Sequence, residues 1–463
     1  MSDPSLGPVV DRTAIPGLLV VRLPLHRDER GWFKESWQRE KMVALGLPDF
    51  APVQSNLSFN TRRGATRGIH AEPWDKLVTL GAGRVFAAWV DLRAGETFGR
   101  AVHLELDPSV AVYVPRGVAN SYQSLDDGTV YTYLVDGHWR PGVRYPALHL
   151  GDESAAIPWP IPLAEAQISA ADRQHPRLVD LDPVPTRVTV ILGADGQLGR
   201  ALGAEFPDAV PVDVDVTDEP ALARLPWSTY DVVLNAAAYT AVDPAETPEG
   251  RRAAWAVNAA APAALARLAA EHRLTLVHYS SDYVFDGTAQ SHHEQEPLSP
   301  LGVYAQSKAA GDLAVATTPR HYLLRTSWLV GQGRNFVRTM LDAAERGISP
   351  AVVDDQVGRL TFADELARAT RHLLDANAAP GTYNVTNGGD PMTWWEIATH
   401  IFRLVGRDPA DVRRTSAAAY AEGTARAPRP ACSVLDLAKL EATGFSPELA
   451  LTALARYVAP AVG

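Results

Sequence analysis

Arg187-Val-Thr-Val-Ile-Leu-Gly-Ala-Asp-Gly-Gln-Leu-Gly-Arg200 decides how the larger part of this chain folds. Its first residues, Arg187 to Leu192, have the apolar texture of a buried strand. Gly193, Gly196 and Gly199 follow at once and open a helix. Glycines at a strand-to-helix turn permit a tight reversal. They also let backbone N–H groups and a helix N-terminus approach a pyrophosphate. Gly193, Gly196, Gln197, Leu198 and Gly199 are therefore candidate dinucleotide ligands. Such turns also occur for packing alone, so context matters. Here a strand precedes, a helix follows, and the acidic segment Asp213-Val-Asp215 ends the next strand. An acidic residue roughly 20 positions after the fingerprint suits a ribose hydroxyl, which adds Asp215 and its neighbour Val216 to the cofactor set. That segment has no arginine to meet a 2′-phosphate, which leans towards NADH over NADPH.

Outward from this stretch, strand and helix patterns alternate. Asp231-Val-Val-Leu-Asn235 and Leu274-Thr-Leu-Val-His278 suit strands, and Ala260 to His272 is an alanine-rich helix. The alternation predicts a parallel, doubly wound Rossmann sheet. Ser280-Ser281-Asp-Tyr-Val-Phe-Asp286 closes one apolar run, where open sheets bind ligands. Val303-Tyr-Ala-Gln-Ser-Lys308 follows. Tyr304 and Lys308 are four apart, so a helix sets them on one face. An ammonium beside a phenol lowers its pKa, and the tyrosine can trade a proton with a carbonyl oxygen while nicotinamide trades hydride. Singly, Ser281 is an ordinary turn serine and Tyr304–Lys308 an ordinary exposed pair. In this order behind a glycine fingerprint, they point to a carbonyl reductase site.

Before residue 180 the texture differs. Val85 to Leu92, Val102 to Leu106, Val110 to Val114 and Val130 to Val135 suit short strands. Turn signals at Gly81-Ala-Gly83, Asp107-Pro108 and Asp126-Asp-Gly128 separate them. This spacing favours an all-β sandwich or jelly roll. The expected domains are residues 1–179 and 187–463, with the proline-containing stretch 180–186 as a linker. His70 is the histidine to weigh in the first domain, although a lone histidine in a β-domain is commonly just packed. A metal-binding jelly roll needs His-x-His with a glutamate and a later histidine. Ala71 follows His70 and Asn120 stands in the later strand, so no metal is expected. Arg67, Lys76, Tyr133 and Asp172 are available to a histidine base near neutral pH.

The chain has 463 residues, enough for two or three cores, and a formal net charge of -11. That charge argues against a nucleic-acid partner. The one cysteine, Cys432, precludes an internal disulfide. Met1-Ser-Asp-Pro-Ser-Leu6 lacks the basic start and apolar stretch of a signal peptide. No apolar run is long enough to span a membrane, so the protein is expected in the cytoplasm.

The second half resembles the extended short-chain dehydrogenase/reductase family, in its dTDP-4-dehydrorhamnose reductase branch. The resemblance rests on the glycine stretch, Asn235-Ala-Ala-Ala-Tyr-Thr-Ala-Val-Asp243, His278 to Gly287 and Tyr304 to Lys308. Leu324-Arg-Thr-Ser-Trp328, Asn335-Phe-Val337, Val353-Asp-Asp-Gln356 and Arg429 to Asp436 extend it over nearly all of residues 187–463. It implies that Ser281 polarises a sugar C4 carbonyl, at a place where the family usually has threonine. Tyr304 would protonate the oxygen, and Lys308 would tune Tyr304 and hold the nicotinamide ribose. Asp282, Tyr283 and Trp328 would lie at the sugar, and Ala236, Ala237 and Ala238 beside the cofactor, NADPH or NADH.

The first half, over about residues 14–176, resembles the dTDP-4-dehydrorhamnose 3,5-epimerase family, a metal-free cupin-like jelly roll. Asp28 to Glu35, Val53 to Asn56, Arg67 to His70, Asp75 to Val78, Val114 to Asn120 and Ile168 to Asp172 carry the likeness. It implies that His70 takes protons α to the ketone, oriented by Asp172. Lys76 would steady the enolate and Tyr133 would donate from the other face. Arg30, Glu35, Gln54, Asn56 and Arg67 would hold the nucleotide, with Trp139 stacked on thymine. The chain departs from the pattern at Asn120, Leu134 and Arg144, where histidine, lysine and glutamate are usual. Together the resemblances imply a homodimeric, bifunctional enzyme acting on a dTDP-4-dehydro-6-deoxy sugar, first by epimerisation and then by reduction. Consecutive sites on one chain raise the local concentration of the intermediate. Two other outcomes stay open: another deoxysugar pathway with epimerisation at one carbon, or a dinucleotide-binding regulatory subunit without catalysis.

Overall fold

The computed structural model describes residues 7–139, 142, 145–186, 188–376, 378–423 and 426–461. Arg187, at the head of the expected strand, and Arg144 lie outside them. The chain divides into two compact units, Met1–Thr186 and Arg187–Gly463.

Among the described residues the first unit holds two main sheets, both antiparallel. One carries strands Val9–Arg12, Leu19–Arg22, Val110–Val114, Lys76–Ala82, Thr129–Val135 and Gln54–Asn60 in that spatial order. The other carries Thr66–His70, Val118–Ser124, Val85–Asp91 and Ala101–Leu106. Each strand expected from alternation is present to within a residue or two. Val78, Leu80, Val112 and Tyr131 of the first sheet meet Val85, Ala87, Trp89 and Tyr122 of the second in one buried cluster. Val85–Asp91 is buried along its whole length because both its faces are covered. Val90 turns to a second cluster, with Ile69, Leu148, Leu150 and Leu178. The chain after the last strand thus returns across the outer face of the smaller sheet. Ile69 and Leu148 exchange backbone hydrogen bonds there, at 3.3 and 2.9 Å. The buried Asp152 carboxylate accepts from the backbone N–H groups of Ser154, Ala155 and Leu178. Residues 180–186, expected as a linker, take part in this layer. Leu181 and Val184 pack on the second cluster, and Val184 bridges Arg93.

The second unit is built on a parallel sheet in the order Val210–Val212, Val188–Leu192, Tyr230–Asn235, Thr275–Ser281, His321–Thr326, Gly381–Asn384. Strand residues alternate between two helical layers, as doubly wound sheets require. Ile191, Leu234, Val277 and Leu324 pack with Leu198, Leu202 and Leu366. Val190, Leu192, Val233 and Leu276 pack with Leu222, Ala261 and Leu265 on the other side. The expected helix from residue 260 is Ala261–His272, preceded by a π turn at Ala256–Ala260. A third core joins helices Phe336–Glu345, Trp394–Leu404 and Ala450–Val458 through Met340, Ile397, Ile401 and Leu454, forming the smaller lobe. Among the described residues no helix is long and apolar enough to cross a membrane.

Candidate active sites

In the first unit, sheet register and the returning segment bring distant residues to one cavity of about 800 Å³. Arg67, His70, Glu72, Lys76, Asn120, Tyr133 and Asp172 line it. His70 ends strand Thr66–His70 and stands opposite Asn120 in the ladder. Lys76 opens its strand in the larger sheet, and its ammonium lies 5.6 Å from the centre of the Tyr133 ring. Asp172 begins a short 3-10 turn in the returning segment. Its Oδ1 lies 3.0 Å from His70 Nε2. Burial pushes the Asp172 carboxyl up. Hydrogen bonding and charge at His70, with help from Ser169 and His175, outweigh this and hold it below its ordinary value. Burial, reinforced by the charge of Glu72, raises the Tyr133 phenol, so it stays protonated as a donor must.

Three residues of this site carried no signal in the sequence. Glu72 forms a buried ion pair with Lys76. The Tyr131 hydroxyl donates to Asn120 Oδ1 at 3.1 Å, which occupies the side chain that replaces a histidine. His175 Nε2 stands 3.2 Å from Asp172 Oδ1 and 3.3 Å from His70 Nε2. The nucleotide set is only partly assembled. Arg67 lines the cavity, whereas Arg30, Glu35, Gln54, Asn56 and Trp139 do not. His26–Asp28 and Gly31–Phe33 form a separate exposed hairpin, and Arg30 pairs there with Asp28. Glu35 pairs with Lys41. The Gln54 side chain donates to Asn56 and accepts from the backbone of Trp139, a residue that is 59% exposed.

In the second unit the strand order reverses between Val188–Leu192 and Tyr230–Asn235, the crevice where open sheets take ligands. Gly193 and Ala236 lie just past the ends of these strands. Gly193 has φ +73°, and a Cβ there would stand 2.7 Å from Ala237 N. At Gly199 a Cβ would collide with Gly193 O. Gly196 caps helix Gln197–Glu205 without a side-chain hydrogen bond, and a Cβ on it would meet only Gly193 O, at 3.3 Å. The first-turn amides of that helix therefore face an open backbone cradle, which fits a pyrophosphate. The Asp215 carboxylate is exposed and accepts from Thr217 at 2.7 Å, which leaves its other oxygen for a ribose hydroxyl.

Ser281 ends strand Thr275–Ser281, and its hydroxyl donates to Asp282 at 2.9 Å and accepts from the Tyr283 backbone N–H at 3.2 Å. Tyr304 and Lys308 sit on helix Val303–Val315 as expected. Their electrostatics differ from the expectation that Lys308 lowers the phenol pKa. Burial pushes the Tyr304 phenol up to about 12, opposed by the nearby Ser281 hydroxyl. Burial also lowers Lys308 to about 8, opposed by Asp312. The lysine ammonium instead donates to the Tyr279 carbonyl, 2.6 Å away. Burial likewise raises Asp282 to about 6, opposed by Ser433 and Ser281.

A cavity of about 460 Å³ opens beside this cluster, reached through Tyr283, whose ring meets Tyr304 edge-on at 5.9 Å. Trp328, expected at the sugar, instead stacks at 3.6 Å behind Trp394, and Trp394 lines the cavity. Gly358 makes room for this stack, since a Cβ there would stand 2.7 Å from the Trp328 ring. Arg426 and Arg429 also line the cavity and pair with Asp243. Two guanidiniums against one carboxylate leave net positive charge at this cavity of an acidic protein.

Two family models match the chain. The RmlD substrate binding domain matches residues 187–462, and dTDP-4-dehydrorhamnose 3,5-epimerase matches residues 12–180. An RmlC homolog of Streptococcus pyogenes is 44% identical over 177 residues, covering 37% of this chain and 89% of that protein. A probable dTDP-4,6-dihydroxy-2-methyloxan-3-one 4-ketoreductase of Streptomyces antibioticus is 41% identical over 273 residues, covering 56% of this chain and 90% of that one. The solved dTDP-4-dehydrorhamnose reductase of Bacillus anthracis, in complex with NADP, is 30% identical with a TM-score of 0.55. That match covers 59% of this chain and 99% of the solved one. The chain therefore belongs to the RmlD substrate binding domain family and is an enzyme that carries a dTDP-4-dehydrorhamnose 3,5-epimerase domain ahead of its reductase domain.

Proposed function

We propose that the chain performs two consecutive steps of dTDP-L-rhamnose synthesis on dTDP-4-dehydro-6-deoxy-D-glucose. The observation that carries this is the His70–Asp172 contact at 3.0 Å, inside a cavity that also holds Lys76 and Tyr133. Protons at C3 and C5 are acidic because both carbons neighbour the C4 ketone. His70 removes each as general base, and Asp172 stabilises the imidazolium that forms. The Lys76 ammonium offsets charge on the enolate oxygen, and Tyr133 returns a proton to the opposite face, which inverts the carbon. Arg67 meets the diphosphate.

In the second unit the cradle of Gly193, Gly196 and Gly199 suits the pyrophosphate of NADPH or NADH. The bound dinucleotide supplies the hydride for C4. Ser281 donates to the C4 oxygen, Tyr304 gives it a proton, and Lys308 holds the ribose once it leaves the Tyr279 carbonyl. Arg426 and Arg429 bind the substrate diphosphate. We take the working form to be a cytoplasmic homodimer, to be checked by light scattering. The Streptomyces antibioticus relative, by its name a probable 4-ketoreductase of another dTDP sugar, favours reduction of a different dTDP-ketosugar, and that alternative would pair with epimerisation at one carbon. Deuterium uptake at C3 and C5 in heavy water, followed by NMR, separates the two. Unequal uptake that Asn120→His evens out supports the alternative. Equal uptake at both carbons supports the rhamnose route.

A further inference from the structure

His70, Asp172 and His175 place three ligating atoms at the corners of a small triangle. Its edges are 3.0 Å from His70 Nε2 to Asp172 Oδ1, 3.2 Å from Asp172 Oδ1 to His175 Nε2, and 3.3 Å between the two Nε2 atoms. All three atoms lie within 4.8 Å of one another. Zinc binds imidazole nitrogen and carboxylate oxygen at about 2.1 Å, which puts neighbouring donors about 3.0 Å apart at a right angle and about 3.4 Å apart at the tetrahedral angle. The observed edges fall between those two values. The donor set, two imidazoles and one carboxylate, is that of several open zinc sites. His70 has 41% of its side chain exposed, so an ion has a path from the cavity.

We infer that this triangle is a site for a divalent transition ion of the zinc class, and that the ion inhibits epimerisation rather than assisting it. The site differs from the His-x-His arrangement of metal jelly rolls, which Ala71 and Asn120 rule out here. It is assembled from the end of one strand and the returning segment. Inhibition follows from the tautomers of imidazole. A neutral ring has one lone pair, on whichever nitrogen lacks hydrogen. Coordination at His70 Nε2 uses that pair and leaves the proton on Nδ1. His70 then has no lone pair to accept a proton from sugar carbon. No bond to substrate forms or breaks in this step. The ion displaces only the proton that the ring shares with Asp172, and that proton moves to Nδ1, the atom that would otherwise receive the substrate's. The ion-binding statement stands on geometry alone, while the inhibition rests on His70 being the epimerase base.

The test uses the full chain after dialysis against a chelator. Cobalt(II) is added and its visible d–d bands are recorded, then zinc is titrated to displace it. In parallel, zinc is added during deuterium exchange of the 4-keto sugar. We expect four- or five-coordinate cobalt bands, displacement by zinc, and loss of exchange that chelator restores. His175→Ala should abolish the bands and raise the zinc needed for inhibition by at least about 10-fold, the lower end of what changing even an outer-sphere partner costs. His175→Gln, which keeps a donor to Asp172, should give the same loss and serves if the alanine variant unfolds. Bands absent from wild type, or bands unchanged in both variants, overturn the site. Bands present with exchange unaffected by saturating zinc keep the site and overturn the inhibition. If wild type shows no exchange under any condition, the epimerase reading fails while the cobalt spectrum still decides the site.

Discussion

Burial sets the character of Tyr304 and Lys308, holding the phenol near 12 and the lysine near 8. Tyr304 is therefore a proton donor throughout the working range, while Asp282, near 6, and Lys308, near 8, titrate at its edges. Lys308 is charged below about 8, so reduction should slow as pH rises through that value, and Lys308→Arg should move the fall upward. The sign for stability is opposite. The folded value lies below the ordinary 10.5 of lysine, so the unfolded chain binds more protons between the two and stability rises with pH there. Tyr304→Phe should stop cofactor oxidation, a loss of about 10²–10⁴-fold, while deuterium exchange at the sugar continues. His70→Ala should do the reverse, and exchange at the normal rate in that variant would place the base elsewhere. The order Ser281, Tyr304, Lys308 was legible because strand end and helix spacing fix those positions locally. The direction of the Lys308 ammonium was not, because it depends on a carbonyl at Tyr279 in another element.

Strand Val85–Asp91 follows from its β-favouring run between turn residues, and helix Val303–Val315 from the four-residue spacing of Tyr304 and Lys308. The segment from Ala147 to Leu178 offers no such signal, and it completes the epimerase site. Its hold on the smaller sheet depends on apolar contacts from Leu148, Leu150 and Leu178 and on the Asp152 carboxylate. Asp152→Ala leaves the buried Leu178 N–H without its acceptor, at a cost of about 1–3 kcal/mol. Such a variant should exchange deuterium more slowly with unchanged reductase activity. His175 and Glu72 escaped notice because neither belongs to a repeating pattern; only the return of this segment and the buried pair with Lys76 give them meaning. Arg30 and Glu35 were grouped with Arg67 by sequence likeness, yet an exposed hairpin holds Arg30 away from it and Glu35 is engaged by Lys41. The glycine turn is a stricter element. Gly199→Ala would drive a Cβ into Gly193 O, so it should weaken NADPH binding and lower the melting temperature of the second unit. Equal affinity in that variant, measured by cofactor fluorescence, would remove the cradle from the cofactor site.

Each unit of the chain has its own apolar clusters, and each expected chemistry draws its residues from one unit. Calorimetry should accordingly resolve two transitions. NADPH at 100 times its Kd should stabilise only the reductase transition, by about 2.7 kcal/mol. The change from short alternating strands to strand–helix repeats was visible near residue 180, a few residues before the division between Thr186 and Arg187. Where the last N-terminal residues pack was not, since Val184 bonds to Leu92 and Ala94 through backbone groups that carry no sequence signature. The central claim is that one chain epimerises and then reduces the same sugar. NMR of the full chain with dTDP-4-dehydro-6-deoxyglucose in heavy water, with and without NADPH, tests it most directly. Deuterium at C3 and C5 without cofactor, and a C4 alcohol bearing both deuterons with cofactor, are the predicted results. Reduction at C4 with no deuterium at either carbon would contradict it.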